Sequence, residues 1–166
     1  IGIPVDPDVD GYTSVATIFN FIYDDLKYDN VWYIIKNKSK KGHGIDREII
    51  EKVEKNKFKL LIMVDGGTND VGYQNKLHNM GCKVLILDHH NIEWKNNKSP
   101  AIIINNQDGQ VENTNLSGCG VTYKFCYYVA EQEGIDLKYK YLDLVALSLI
   151  SDAVSYTHLR AHETKA

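Results

Sequence analysis

The chain has 166 residues, 43% hydrophobic and 25% charged, and its 19 basic against 22 acidic side chains give a formal net charge of −3. That size and balance describe one globular domain, able to bury roughly 70% of its unfolded surface without a disulfide or structural metal. No apolar run approaches the ~20 residues of a membrane span, the start IGIPVDPD lacks the basic-then-apolar order of a signal peptide, and net acidity argues against binding nucleic acid by charge alone.

Short apolar runs alternate with segments of helical period. Ile1–Val5 predicts a first strand, followed by Asp6-Pro7-Asp8-Val9-Asp10-Gly11 and a helix over Thr13–Asp25 with Val15, Ile18, Phe19 and Ile22 on one stripe. Val31–Ile35 predicts a second strand. Beyond it Lys36, Lys38, Lys40 and Lys41 form a basic loop, read equally as solvated or as a contact for a nucleic-acid backbone. His43, between two glycines, is likewise either a nucleotide contact or a plain loop residue. A helix over Asp46–Lys55 leads to a third strand, Leu60–Val64, which ends in Asp65-Gly66-Gly67.

A helix over Asp70–Met80 closes at Gly81, a residue suited to the positive φ of a C-cap. The fourth strand, Val84–Leu87, ends in Asp88-His89-His90, and the fifth is Ala101–Ile104. Leu116-Ser117-Gly118-Cys119-Gly120 then turns into a helix over Val121–Glu133, closed by Gly134. The amides of this turn and Ser117 are candidates to hold a phosphate, and the same residues also make a sound N-cap. Tyr123, Tyr127 and Tyr128 on that helix read first as packing. A last helix is predicted over Lys138–Asp152.

The opening on Ile1 without Met and the run VSYTHLRAHET at 154–164, which resembles a translated sequencing adaptor, suggest a cut chain. Residues 1–153 are expected to form the domain and 154–166 a non-native tail, which sets aside His158, His162 and Glu163 as a metal site. Cys82, Cys119 and Cys126 form no CxxC and read as reduced, buried thiols of a cytoplasmic protein.

Nearly continuous apolar strands separated by helices imply right-handed βαβ units: a doubly wound α/β fold, its sheet mainly parallel, helices on both faces and both faces of the strands buried. Ligands bind such sheets beyond the carboxyl ends of the strands. Three strands deliver Asp8 and Asp10, Asp65, and His89 and His90 to that edge. Like charges gathered there repel unless a cation sits among them, which implies a metal cluster.

Simpler readings of the first motif fail. Counted as a calcium loop from Asp6, its twelfth position is Thr17 rather than Glu. A haloacid-dehalogenase-like phosphatase would use Asp8 as a nucleophile and form an aspartyl-phosphate, leaving the double His unexplained.

In their order, DVDGYTS at Asp8–Ser14, VDGG at Val64–Gly67, LDHH at Leu87–His90 and ALSLISD at Ala146–Asp152 resemble the DHH phosphoesterase family. KGHGI at Lys41–Ile45 and LSGCGV at Leu116–Val121 are similar to its RecJ-like branch. The resemblance implies metal ligands at Asp8, Asp10, Asp65, His89 and Asp152, with Asp65 bridging, Asp8 serving one ion and Asp10, His89 and Asp152 the other. Asp65, His89 and His90 would form the catalytic set, with His90 near the scissile phosphate and Asp88 orienting a neighbouring His. Substrate contacts would come from His90, His43, Lys41, Ser117 and Gly118.

Pro4 stands where the family commonly has a further His, so Asp6 or water would complete that shell. Two Mn²⁺ ions, or Mg²⁺ in their place, would activate a water for attack on a phosphodiester, with no covalent intermediate. The implied activity is RecJ-like 5′-to-3′ exonuclease action on single-stranded nucleic acid, DNA first, by a catalytic domain cut before its substrate-binding domain. The alternatives are a DHH enzyme for short RNA or cyclic dinucleotides, and a catalytically weak binding relative.

Overall fold

A computed structural model describes residues 1–36, 44–93, 98–110 and 113–163, with the backbone alone from 153 on. Among these residues five strands, β1 (Gly2–Val5), β2 (Trp32–Ile35), β3 (Leu60–Val64), β4 (Lys83–Asp88) and β5 (Ile102–Asn105), form one sheet in the order β2-β1-β3-β4-β5. Every pairing is parallel, as continuous apolar strands joined by crossovers require. The helices are α1 (Val9–Asn20), α2 (Arg47–Asn56), α3 (Val71–Asn79), α4 (Gly118–Glu133) and α5 (Leu142–Glu163); a π-helical turn, Phe21–Asp25, extends α1.

The doubly wound α/β architecture is therefore the one observed. One core holds Ile3, Val5, Ile62 and Leu87 against Val15 and Ile18 of α1 and Val121 and Cys126 of α4. The opposite face packs Leu61, Met63 and Ile86 against Ile49 and Val53 of α2 and Leu77 of α3. All three cysteines are buried thiols outside any disulfide. No helix among the described residues is long and apolar enough to cross a membrane.

Burial on both faces does not extend to the edges of the sheet. Trp32, Tyr33 and Ile35 of β2 and Ile102 and Ile104 of β5 are exposed on these two edge strands, whereas Ile34 of β2 is buried in the cluster with α2. Tyr127 and Tyr128 are also exposed, so of the three α4 tyrosines only Tyr123 packs on the core.

Two helices begin earlier than their apolar stripes suggest. Asp8 caps α1 by accepting from the Gly11 amide at 2.8 Å, and Ser117 caps α4 by accepting from Gly120 at 3.2 Å. Thus the DVDG and SGCG motifs form first helical turns rather than preceding loops. The helix expected to stop at Asp152 continues to Glu163, since that stretch holds neither Gly nor Pro to end it.

Candidate active site

The three central strands end side by side, and each contributes to one cluster. Asp8 and Asp10 sit at the start of α1, directly beyond β1. Asp65 follows β3, and His89 and His90 follow β4. Asp152 arrives from α5. His89 Nε2 lies 3.1 Å from Asp65 Oδ1 and 3.5 Å from Asp10 Oδ2, and His89 Nδ1 lies 4.0 Å from Asp152 Oδ2. Among the described residues two groups of three have ligand atoms close enough to share a cation: Asp65, His89 and His90, and Asp10, His89 and Asp152. The residue common to both is His89, whereas family resemblance gives the bridging place to Asp65. Asp8 stands outside both groups, exposed at the helix cap, within electrostatic reach of Asp65 and Asp152.

Asp10 is the most firmly held of these groups. Its Oδ1 accepts from the Cys119 amide at 2.8 Å, Ser148 Oγ at 2.5 Å and Ser14 Oγ at 3.3 Å. Its Oδ2 accepts from the Gly118 amide at 2.7 Å and faces His89. A carboxylate on the first amides of α4 is favoured by the helix dipole. The turn expected to hold a phosphate thus spends its donors inside the protein: the Gly118 amide on Asp10, and the Ser117 hydroxyl, which accepts from Gly120 at the cap, on a 2.6 Å bond to Ser148, whose own proton goes to Asp10. Ser117 and Gly118 therefore position Asp10 rather than present open phosphate donors.

Asp65 is strained and buried, with φ at +55°, a region that Asp tolerates better than most residues. Its Oδ1 is buried without a hydrogen bond of acceptable geometry among the described residues, although His89 Nε2 approaches it. Burial raises its pKa to about 7 against the pull of His89, and the charges of Asp10 and Asp8 add to the rise. Burial also raises Asp152, with Asp10 reinforcing it. For His89, burial acts to lower the pKa, but the Asp65 carboxylate outweighs it and holds the ring above its ordinary value. An acidic pocket with an orphaned carboxylate oxygen and an imidazole is a donor set suited to a divalent cation.

Asp88 orients His90. Its Oδ1 accepts from the His90 ring Nδ1 at 2.8 Å and from the backbone amides of His89 and His90, while Oδ2 accepts from the Thr68 amide. Burial acts to raise the Asp88 pKa, yet these bonds hold it well below the usual carboxylate range. The same ion pair lifts His90 to about 9. The half-exposed His90 ring borders a cleft of about 340 Å³ lined by Gly44, Gly66, Thr68, Asn69 and Asn91.

Lys36, read as part of a basic loop, is instead buried and paired to Asp6 at 3.3 Å, which occupies the carboxylate nominated to complete a metal shell. Lys41 and His43 lie outside the described residues, as do Lys38 and Lys40. Sequence reasoning missed Ser148 and Ser14. Ser148 stands four residues before Asp152, so helical spacing puts both on one face, a signal present in ALSLISD.

The chain is 32% identical over 158 residues to a Bacillus subtilis (strain 168) protein provisionally named SPβ prophage-derived single-strand DNA-specific exonuclease YorK, covering 95% of this chain and 26% of that protein. It is 26% identical over 161 residues to the single-stranded-DNA-specific exonuclease RecJ of Escherichia coli (strain K12), covering 90% of this chain and 28% of that protein. The chain thus spans little more than a quarter of these relatives' lengths. Among solved structures, an exonuclease RecJ bound to manganese superposes with a TM-score of 0.79 at 23% identity, over 91% of this chain and 38% of that one. RecJ of Thermus thermophilus in complex with Mn²⁺ gives 0.72 at 22% identity, over 91% and 21% of the respective chains. The sequence profile of the DHH family, N-terminal domain, matches residues 1–149, nine-tenths of the chain, and the protein belongs to that family.

Proposed function

We propose that this domain hydrolyses phosphodiester bonds of single-stranded nucleic acid, DNA first and from the 5′ end, at the cluster of Asp10, Asp65, His89 and Asp152. The observation that carries the reading is the orphaned, buried Oδ1 of Asp65 inside a ring of acidic and imidazole groups at the ends of three adjacent parallel strands. The family membership and the relatives named for single-stranded-DNA exonuclease action support the same chemistry.

Asp10, Asp65, His89 and Asp152 would hold divalent cations, two of them and Mn²⁺ first given the mixed carboxylate and imidazole donors, with Mg²⁺ as a substitute. Such ions supply activation of a water and neutralisation of charge on the phosphate. The chain's own residues do the rest. The α4 amides and Ser148 fix Asp10 so that its Oδ2 faces the pocket. Gly118 lets α4 approach Asp65 closely, because a Cβ there would stand 2.6 Å from the Asp65 Cβ. Asp88 keeps a proton on His90 Nδ1, and the resulting positive ring at the cleft is placed to meet a phosphate oxygen. Lys41 and His43 remain candidates for contacts further along the nucleotide chain.

The test is hydrolysis of end-labelled single-stranded oligonucleotides beside dinucleotides and cyclic dinucleotides, with Mn²⁺ or with chelator. Mn²⁺-dependent release of mononucleotides from the long strand, abolished in Asp65→Asn, is the expected result. Preference for dinucleotides would move the protein to the short-substrate branch, and activity unchanged in Asp65→Asn would remove the cluster from the chemistry.

A further inference from the structure

The edge strand β2 and the C-terminal half of α2 enclose a groove of about 680 Å³, away from the phosphodiester cluster. Lys55, Lys57 and Lys59 line it together with Lys52, whose ammonium is paired to Glu48 at 2.6 Å, and among the described residues lining it none is acidic, in a chain whose net charge is −3. Tyr28 and Trp32 also line it and are exposed, Trp32 to 61%. The residue paired with Trp32 on β1 is Gly2, which offers no side chain to cover the indole.

Each component has a mundane explanation on its own. Lysines at a helix C-terminus complement its dipole, and lysines beside an edge strand discourage pairing with another chain. Neither explains an uncovered Trp and Tyr in the same groove, since an edge protected against association should be stripped of large apolar rings. Addition of a peptide strand is disfavoured because Lys52 Nζ already donates to the Ile35 carbonyl at 2.5 Å. Cations that follow a phosphate chain beside aromatic faces that stack on bases are the two parts of a single-strand binding track. A duplex fits less well, because its bases are not available to Trp32.

We infer that this groove binds single-stranded nucleic acid as a second contact, running along β2 for about 13 Å at ~3.3 Å per residue. The inference takes its substrate class from the proposed function and is independent of the catalytic cluster. β2 leads at its C-terminal end into Lys36 and the Asp6 pair, so the track points toward the edge of the sheet that carries the cluster.

The test uses the full chain in chelator, where hydrolysis is silent, with fluorescein-labelled oligothymidylate. The chain has two tryptophans, so Trp94→Phe leaves Trp32 as the sole reporter. Oligothymidylate should quench Trp32 emission. Trp32→Ala should weaken binding about tenfold, the loss expected for one stacked base. The pair Lys55→Glu and Lys57→Glu should weaken it similarly and reduce its salt dependence. These residues are exposed, and thermal melts should show that the variants remain folded.

Unquenched Trp32, or affinity unchanged in folded Trp32→Ala and in the charge-reversed variant, overturns the inference. So does equal binding of inorganic polyphosphate in competition, which has charge but no bases. Groove binding without Mn²⁺-dependent hydrolysis would sink the proposed function and leave this inference standing. Hydrolysis with an indifferent groove would do the reverse.

Discussion

Ser148 and Asp10, 138 residues apart in the chain, are joined by a hydrogen bond of 2.5 Å from Ser148 Oγ to Asp10 Oδ1. The bond ties α5 to the first turn of α1. It also ties Asp152, one helical turn beyond Ser148, to the carboxylate that faces it across His89. Ser148→Ala removes a buried bond to a charged acceptor while leaving the two α4 amides in place. The expected cost is about 1.5–3 kcal/mol of stability, read by urea denaturation, together with weaker Mn²⁺ binding. Wild-type values for both would show that the bond does not organise the site.

Gly118 makes the second structural prediction. Its hypothetical Cβ would stand 2.6 Å from Asp65 Cβ and 2.7 Å from Asp65 Oδ1, so Gly118→Ala must displace either α4 or Asp65. Overpacking of this kind costs roughly 1–3 kcal/mol. Because the Gly118 amide also holds Asp10, Mn²⁺ affinity should fall by more than the lost stability alone would suggest. Calorimetric titration checks this, and an affinity equal to wild type in a folded variant contradicts it.

The fold was largely legible because each strand is a compact apolar run and each run ends in a residue with its own chemistry. Asp65, His89 and Asp10 could be assigned to one edge of the sheet from the positional rule for parallel sheets alone. The starts of α1 and α4 were not legible, since Asp10, Gly11 and Gly118 look like loop residues until Asp8 and Ser117 are known to cap helices. Nor did composition reveal that β2 and β5 are edges: Trp32, Tyr33 and Ile102 have strand character whether or not anything covers them. The pairings of Ser148 with Asp10 and of Lys36 with Asp6 span long separations and depend on the tertiary arrangement.

The Asp88–His90 pair sets a pH dependence in the metal-free protein. His90 has its pKa raised to about 9 from 6.5, so its contribution to stability is full below 6.5 and is lost as pH rises through about 9. Asp88→Asn should return the His90 pKa toward 6.5 and remove that slope. An NMR titration of the ring protons tests this, and a His90 pKa that stays near 9 in the variant would mean that Asp88 is not its cause.

Asp65 predicts a slope of the same sign in a lower pH window, and a proton count. With its pKa raised from 3.8 to about 7, the folded metal-free protein keeps a proton that the unfolded chain sheds, so this group lowers stability as pH rises across that window. Cation binding needs the carboxylate, so Mn²⁺ should expel the proton below pH 7, and His89 should lose one as well. Calorimetry in buffers of different ionisation enthalpy should show proton release at pH 6 that shrinks by pH 8. Release independent of pH would contradict the titration assigned to this pocket.

The most direct measurement is anomalous diffraction from crystals soaked in Mn²⁺. Two peaks roughly 3.5–4 Å apart, in contact with Asp10, Asp65, His89 and Asp152, are predicted. A map with no peak within ligand distance of Asp65 and His89, while Mn²⁺ appears elsewhere on the surface, would contradict the account.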